Sequence, residues 1–421
     1  MKLKNRVVGF LVFLVLSVLT GPAYGGEKDI RISGYLKGFF TVTDTGSAGE
    51  SDSALDGGAF NVLRLDLLYQ PRDRLSAELA YEITPAVQPM EGDLLYASLP
   101  RPEPYSYRAF DLGERLYPRR EDLKSSFTVT QNLDRAFITL NLPAADLYLG
   151  RQPVAFGSAR VINPTDVLAP YAYEVLNQEE RIGVDAIRAK MPVGEMGELD
   201  GGIVFGDKFR AAESALFLRS RNYLLKTDLT FITIVFKENL LLGLDVARSI
   251  GGAGYWLEAA YTFANATADY TPEEDYFRLS TGLDYNVGNG LYGFIEYHFN
   301  GAGRGKPEEY PEAFAGIAYT EGSVYLAGRH YIAPGLAYEI TPLLNFTAQA
   351  LLNAVDLSAY LSALFEFNFA EDVYIDAGAF ISTGRNPETR INEISGLAER
   401  EIKSEFGMYP DIYFTSIRLY F

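Results

Sequence analysis

The chain has 421 residues and a formal charge of −18, with 55 acidic residues against 37 Lys and Arg, a balance that argues against nucleic acid or an anionic lipid surface as partner. There is no cysteine and there are two histidines, which excludes a disulfide framework, a lipoprotein anchor, covalent c-type haem and thiolate metal sites, so no metal and no cofactor are expected. Tyr 29 and Phe 27 against a single Trp suit aromatic girdles at two membrane interfaces better than a globular core.

At the amino terminus Lys2, Lys4 and Arg6 precede an uncharged apolar run from Val7 to Leu19, and Ala23-Tyr24-Gly25 places small residues where a signal peptidase reads. A signal peptide over 1–25 and a mature domain over 26–421 are expected, the latter three charges more negative than the whole chain. No later segment holds about 18 uncharged apolar residues in a row, so a helical membrane protein is excluded.

Beyond the leader the chain alternates with period two. Leu63, Leu65, Leu67 and Tyr69 alternate with Arg64, Asp66 and Leu68; after a turn, Leu75, Ala77, Leu79, Tyr81 and Ile83 alternate with Ser76, Glu78, Ala80 and Glu82. Eighteen such strands are predicted at 30–43, 60–70, 75–83, 127–142, 146–152, 180–192, 199–209, 213–222, 227–237, 240–250, 254–264, 274–287, 291–299, 325–340, 343–353, 358–369, 373–384 and 411–421. Arg188, Lys190 and Arg219 blur the pattern around strands six, eight and nine, which keeps sixteen strands as an alternative. Connections after even-numbered strands are short, such as Pro71–Arg74 and Gly288–Gly290, whereas the long ones, 44–59, 84–126, 153–179, 265–273, 300–324 and 385–410, come after odd-numbered strands. This sorting predicts an all-β, antiparallel, up-and-down transmembrane barrel with short periplasmic turns and long external loops. A barrel of 16 to 18 strands is too wide for its own side chains to fill, and all apparent structure is strand, turn and loop, with no separate plug domain.

The third long connection carries distinctive chemistry. It begins at Gly150-Arg151-Gln152, continues through Gly157, Arg160 and Asn163-Pro164-Thr165-Asp166, and re-enters a strand at Glu180-Arg181-Ile182-Gly183-Val184-Asp185. This stretch resembles the corresponding part of bacterial outer-membrane porin-like β-barrel proteins, with Phe156 standing where their pattern has tryptophan. The resemblance implies that loop 153–179 folds into the lumen and forms a constriction, for which Arg151, Arg160, Asn163, Asp166, Arg181 and Asp185 are the candidates. Asn163-Pro164 breaks regular structure, and an Asn side chain can bond its own backbone in a tight turn. Asp166, Glu174, Glu179 and Glu180 supply acid facing arginines. Salt bridges pinning the loop to the wall are an equally weighted reading, and both can hold.

Inward parity makes Asp66, Glu78, Glu82, Glu258, Asp284, Glu296, Glu366 and Asp376 the lining acids, against Arg64, Arg135, Arg278 and Arg418 as lining bases. Acid outnumbers base about two to one, and a mild cation preference is expected because the field in a pore reflects its lining charge. Acidic external pairs such as Glu273-Glu274 and Glu308-Glu309 read as a solvated rim. His298 and His330 have no recognisable nucleophile partner, so catalysis is not expected.

The chain finishes on Tyr413, Thr415, Ile417, Leu419 and Phe421 on one strand face. The terminal Phe421 resembles the sorting signal by which outer-membrane barrels are read by the insertion machinery. The function implied is a passive channel for small hydrophilic solutes or ions in the bacterial outer membrane. Two other transport readings stand beside it: a barrel sheath around multihaem cytochromes in an electron conduit, and a polysaccharide export barrel. An apolar outer wall has the same composition facing lipid or a second copy, which leaves a homo-oligomer open.

Overall fold

The computed structural model describes residues 29–44, 46, 55–87, 107–119, 125–169, 176, 179–267, 274–321, 325–391 and 398–421. The leader at 1–25, Glu174, Glu273 and the segments 88–106 and 120–124 of the second external connection lie outside the described residues.

Among the described residues, eighteen long strands pair in chain order: β1 (Ile30–Asp44), β2 (Leu55–Arg72), β3 (Leu75–Val87), β4 (Phe127–Asn141), β5 (Asp146–Pro153), β6 (Gly183–Val193), β7 (Gly197–Val204), β8 (Ala215–Leu224), β9 (Thr227–Phe236), β10 (Asn239–Ile250), β11 (Ala253–Phe263), β12 (Tyr276–Gly288), β13 (Leu291–Asn300), β14 (His330–Thr341), β15 (Leu344–Asn353), β16 (Ala359–Ala370), β17 (Val373–Thr383) and β18 (Asp411–Tyr420). Every neighbour is antiparallel, and β18 returns to β1 with Tyr35 opposite Tyr420 and Asp44 opposite Asp411. Closure leaves no edge unpaired among these eighteen strands, as a hydrocarbon surround demands. Phe421 completes the seam: its amide donates to the Gly34 carbonyl at 3.0 Å and its carbonyl accepts from the Gly34 amide at 2.9 Å.

The alternation decides which way each side chain points. Leu67, Leu79, Ile138, Leu149, Ile187, Leu283 and Phe365 are exposed on the outer wall, whereas Arg64, Arg151, Arg188, Arg278 and Asp376 are buried inside. Arg188 and Arg219, which blur the sequence pattern, both point inward and share Asp200, at 2.8 Å and 2.9 Å. The strand count is therefore eighteen and not sixteen.

Turns on one side are tight. Leu225–Lys226 and Asn289–Gly290 both take positive φ at their two central positions, the geometry whose twist matches a hairpin. On the other side β9 and β10 join as tightly, through Lys237–Glu238 with φ of 42° and 72°, while the third and seventh connections are long. The seventh holds two short helices, α1 (Tyr310–Ala315) and α2 (Ile317–Thr320), where the sequence predicts only loop.

Two apolar clusters lie inside the barrel. In the first, Val154, Phe156, Val167, Leu168 and Ala169 of the third loop pack on Phe217, Ile232, Ile234, Phe236 and Leu241 of β8 to β10. In the second, Tyr310 and Phe314 of α1 meet Tyr331, Leu351, Tyr360, Phe406 and Met408, with Val161 and Ile162 of the third loop against them. Loop residues thus occupy part of a lumen that strands alone leave open.

Candidate functional site

The third loop leaves β5 and crosses the inner face of β10 to β13. Ser158 Oγ bonds to Asp245 on β10. On β11, Glu258 Oε2 accepts from the amides of Ser158 and Ala159 at 3.1 Å each and from Asn163 Nδ2 at 3.2 Å, and its Oε1 accepts from Thr165 N at 2.8 Å and Thr165 Oγ1 at 2.7 Å. On β13, Glu296 accepts from the amides of Arg160 at 2.7 Å, Val161 at 3.3 Å and Ile162 at 3.0 Å, and from Trp256 Nε1 at 3.0 Å. On β12 the Ser280 hydroxyl donates to the Ile162 carbonyl and Arg278 donates to that of Pro164 at 2.6 Å. Both glutamates are almost wholly buried, which is tolerable for carboxylates only because donors satisfy both oxygens.

Gly157 permits this approach. Its φ is +97°, and a Cβ there would stand 2.4 Å from Glu258 Oε2 and 2.4 Å from Asn163 Nδ2. Asn163 donates to Glu258 on the wall and to the Phe156 carbonyl at the start of the loop, so its side chain joins the two instead of capping its own turn.

The return arm meets the opposite wall. Asp166, buried at the loop's turn, pairs with Arg181; burial pushes its carboxyl up to about 7 against the pull of that guanidinium. Burial also raises Glu179, but Lys37 of β1 and the Tyr420 hydroxyl of β18 outweigh it and hold its carboxyl below the usual range. Beside that contact Arg418 of β18 binds Asp376 of β17, with Nε–Oδ2 at 2.7 Å and Nη2–Oδ1 at 2.8 Å, and also Glu366 of β16.

Between the loop and this wall lies a cavity of about 680 Å³. Lys37, Arg160, Arg181, Arg278 and Arg418 line it with Asp166, Glu179, Glu366 and Asp376, joined by Asn163, Gln349, Phe39, Phe380 and Phe414. A second cavity of about 590 Å³ lies between the loop and the turns after β8 and β10, lined by Arg160, Lys226, Asp228, Arg248, Tyr255 and Asp284. Arg160 borders both, held by Asp284 at 2.7 Å and stacked over the Trp256 ring at 5.3 Å.

Of the candidate constriction residues, Arg160, Asn163, Asp166 and Arg181 thus come together at the larger cavity. Arg151 and Asp185 do not border it; they pair at 2.7 Å and tie down the second external connection through Asp111, at 2.9 Å from Arg151, and the Ala109 amide. Among the lining candidates, Arg278, Glu366 and Asp376 border the larger cavity and Asp284 the smaller. Arg64, Asp66, Glu82 and Arg135 gather instead around Asp134, which is 2.8 Å from Arg64 and 2.6 Å from Arg135. Glu78 sits on the inner face of β3, and Glu258 and Glu296 are occupied by the loop. Asp134 faces inward beside Arg135 because it is an extra residue in β4, the register stepping from Ala80–Arg135 to Tyr81–Leu133. Lys37 and Asp134 are absent from the sequence candidates; alternation through Tyr35 and Phe39 marks Lys37 as inward, but nothing local marks the bulge.

No protein-family model matches the chain, and no curated protein matches it. Solved structures do. The outer membrane protein opdK of Pseudomonas aeruginosa superposes with a TM-score of 0.54 at 8% identity, over 93% of this chain and 98% of that one. OccAB2 of Acinetobacter baumannii gives 0.53 at 9%, over 94% and 99%, and P. aeruginosa OccK8 (OprE) gives 0.53 at 10%, over 93% and 98%. The chain shares their barrel fold. At these identities the likeness is one of fold, extending over nearly the whole of each molecule.

Proposed function

We propose that this chain is an outer-membrane channel for passive diffusion of small hydrophilic solutes or ions. The observation that carries the reading is the cavity between the third loop and the wall of β15 to β18 and β1, lined by charged groups of both signs and set within a closed barrel whose outer wall is apolar. Opposed charges across a confined aqueous space orient passing dipoles and select ions. The five cations and four acids around that space nearly balance, so selectivity there is weak. Mild cation preference then follows from the excess of acid over base in the chain as a whole, 55 against 37. The fold likeness to outer-membrane barrels supports the location and a transport role, and gives no support to the electron-conduit and polysaccharide-export alternatives.

Planar-bilayer recording under a salt gradient tests this. Stepwise conductance with a modestly cation-selective reversal potential is the expected result. A folded, heat-modifiable barrel that never conducts would overturn the channel reading, and clear anion preference would overturn its selectivity.

A further inference from the structure

Two of the inward acids have partners that a pore-lining acid does not need. Glu258 receives five hydrogen bonds and Glu296 four, and eight of these nine come from the third loop's amides or from the side chains of Asn163 and Thr165 within it, leaving the Trp256 indole as the one donor from the wall. Neither borders either cavity. The loop segment wraps them closely enough that only glycine fits at position 157, where a Cβ would stand 2.4 Å and 2.6 Å from the two Glu258 oxygens. Thr165 likewise packs where a Cβ on Gly243 of β10 would stand, 2.7 Å from its methyl group.

From this geometry we infer that Glu258 and Glu296 are the positioning residues of the channel: two carboxylate posts on β11 and β13 that hold residues 158–165 across the lumen and so set its bore. The inference rests on the channel reading. It assigns these acids a role distinct from ion selection, because their charge is consumed by amide dipoles. The chemistry is specific to a carboxylate. Each oxygen of Glu258 accepts at least two donors, whereas the isosteric amide of glutamine accepts at one atom only and turns its NH2 toward donors.

The test uses the full-length protein with Glu258→Gln and Glu296→Gln, singly and together. Conductance is recorded in planar bilayers, and loop position is read separately by a cysteine pair, Ser158→Cys with Asp245→Cys, unambiguous because the chain has no cysteine of its own. A short bis-methanethiosulfonate reagent bridges the pair, each cysteine thiolate displacing one methanesulfinate to form a disulfide, and mass spectrometry distinguishes one bridging linker from two pendant ones. With Glu258 and Glu296 intact, bridging dominates; in the double variant bridging falls by about half or more and conductance rises about twofold or more, as expected when buried charge-assisted hydrogen bonds are replaced by donor-donor clashes. Barrels stay heat-modifiable, since no ladder hydrogen bond is touched. If the glutamine variants fail to assemble, Thr165→Val, which removes one donor to Glu258, is expected to give a smaller change in the same direction. Unchanged bridging overturns the inference whatever the conductance does. A wild-type protein that never conducts overturns the channel reading instead, and bridging still decides where the loop is held.

Discussion

The two sides of the lumen use the same residue types for different work. On β10 to β13 the inward acids Glu258 and Glu296 are buried and bound to backbone amides of the third loop. On β16 to β18 and β1 the inward acids Glu366 and Asp376 border the open cavity and are matched by Arg418, while Lys37 takes Glu179 from the loop's return arm. An acid that binds amides holds a chain segment and contributes little field to the cavity. An acid paired with a guanidinium beside the cavity keeps a dipole facing that space. For a strand residue, inward position is thus necessary for bordering the cavity but does not suffice.

Arg418→Ala has the largest expected effect, because it leaves Asp376 and Glu366 without their cation. Denaturant unfolding should show a loss of roughly 2–3 kcal/mol, less than for a fully buried pair because the Glu366 side chain keeps about a third of its surface exposed. The reversal potential should move toward cations in the same variant. On the other side, Gly157→Ala forces a Cβ against Glu258 at a positive φ, costing about 1–3 kcal/mol if the loop stays and less if it lifts away. Higher conductance with little lost stability would show that it lifts.

Proton linkage sharpens the contrast further. Asp166 has its carboxyl raised from 3.8 to about 7 by burial, so the folded loop binds a proton more readily than the released one. Its contribution to loop stability is full below about pH 4 and is lost as pH rises through about 7. Across roughly pH 6 to 8 its ionisation adds negative charge beside the larger cavity, so cation preference should increase over that window. Asp166→Asn should abolish the step, and a step that persists in that variant would place the titration elsewhere. The smallest effect is expected for Arg160→Ala: its side chain is half exposed, and its pair with Asp284 contributes at most about 1 kcal/mol. A slight shift toward cations with unchanged thermal stability is the expected reading of that variant.

Much of this architecture is legible along the chain. All eighteen strands stand within a few residues of their predicted bounds, since alternation and turn residues act locally, at two-residue spacing. The third loop's polar residues are also visible, and Arg160, Asn163, Asp166 and Arg181 meet at one cavity. The features that are not legible share a common cause. Ile232, Ile234 and Phe236 are apolar on the inward face of β9 because the third loop covers them, and a strand apolar on both faces signals burial without naming what buries it. The helices α1 and α2 are too short to show periodicity. Arg151 and Asp185 look like constriction residues by their motif, yet they pair with each other and bind residues 109–111, far back in the chain.

The barrel follows from the chain alone: its closed, antiparallel order, its strand number within the choice of sixteen or eighteen, and the inward face of each strand apart from the bulge at Asp134. These rest on alternation, which a one-residue slip would invert over a whole strand. Which inward charges border the cavity depends on contacts between segments far apart in the chain. A buried carboxylate accepts whatever donors the fold brings to it, and for Glu258 those donors lie about a hundred positions away, at Ser158 and Ala159.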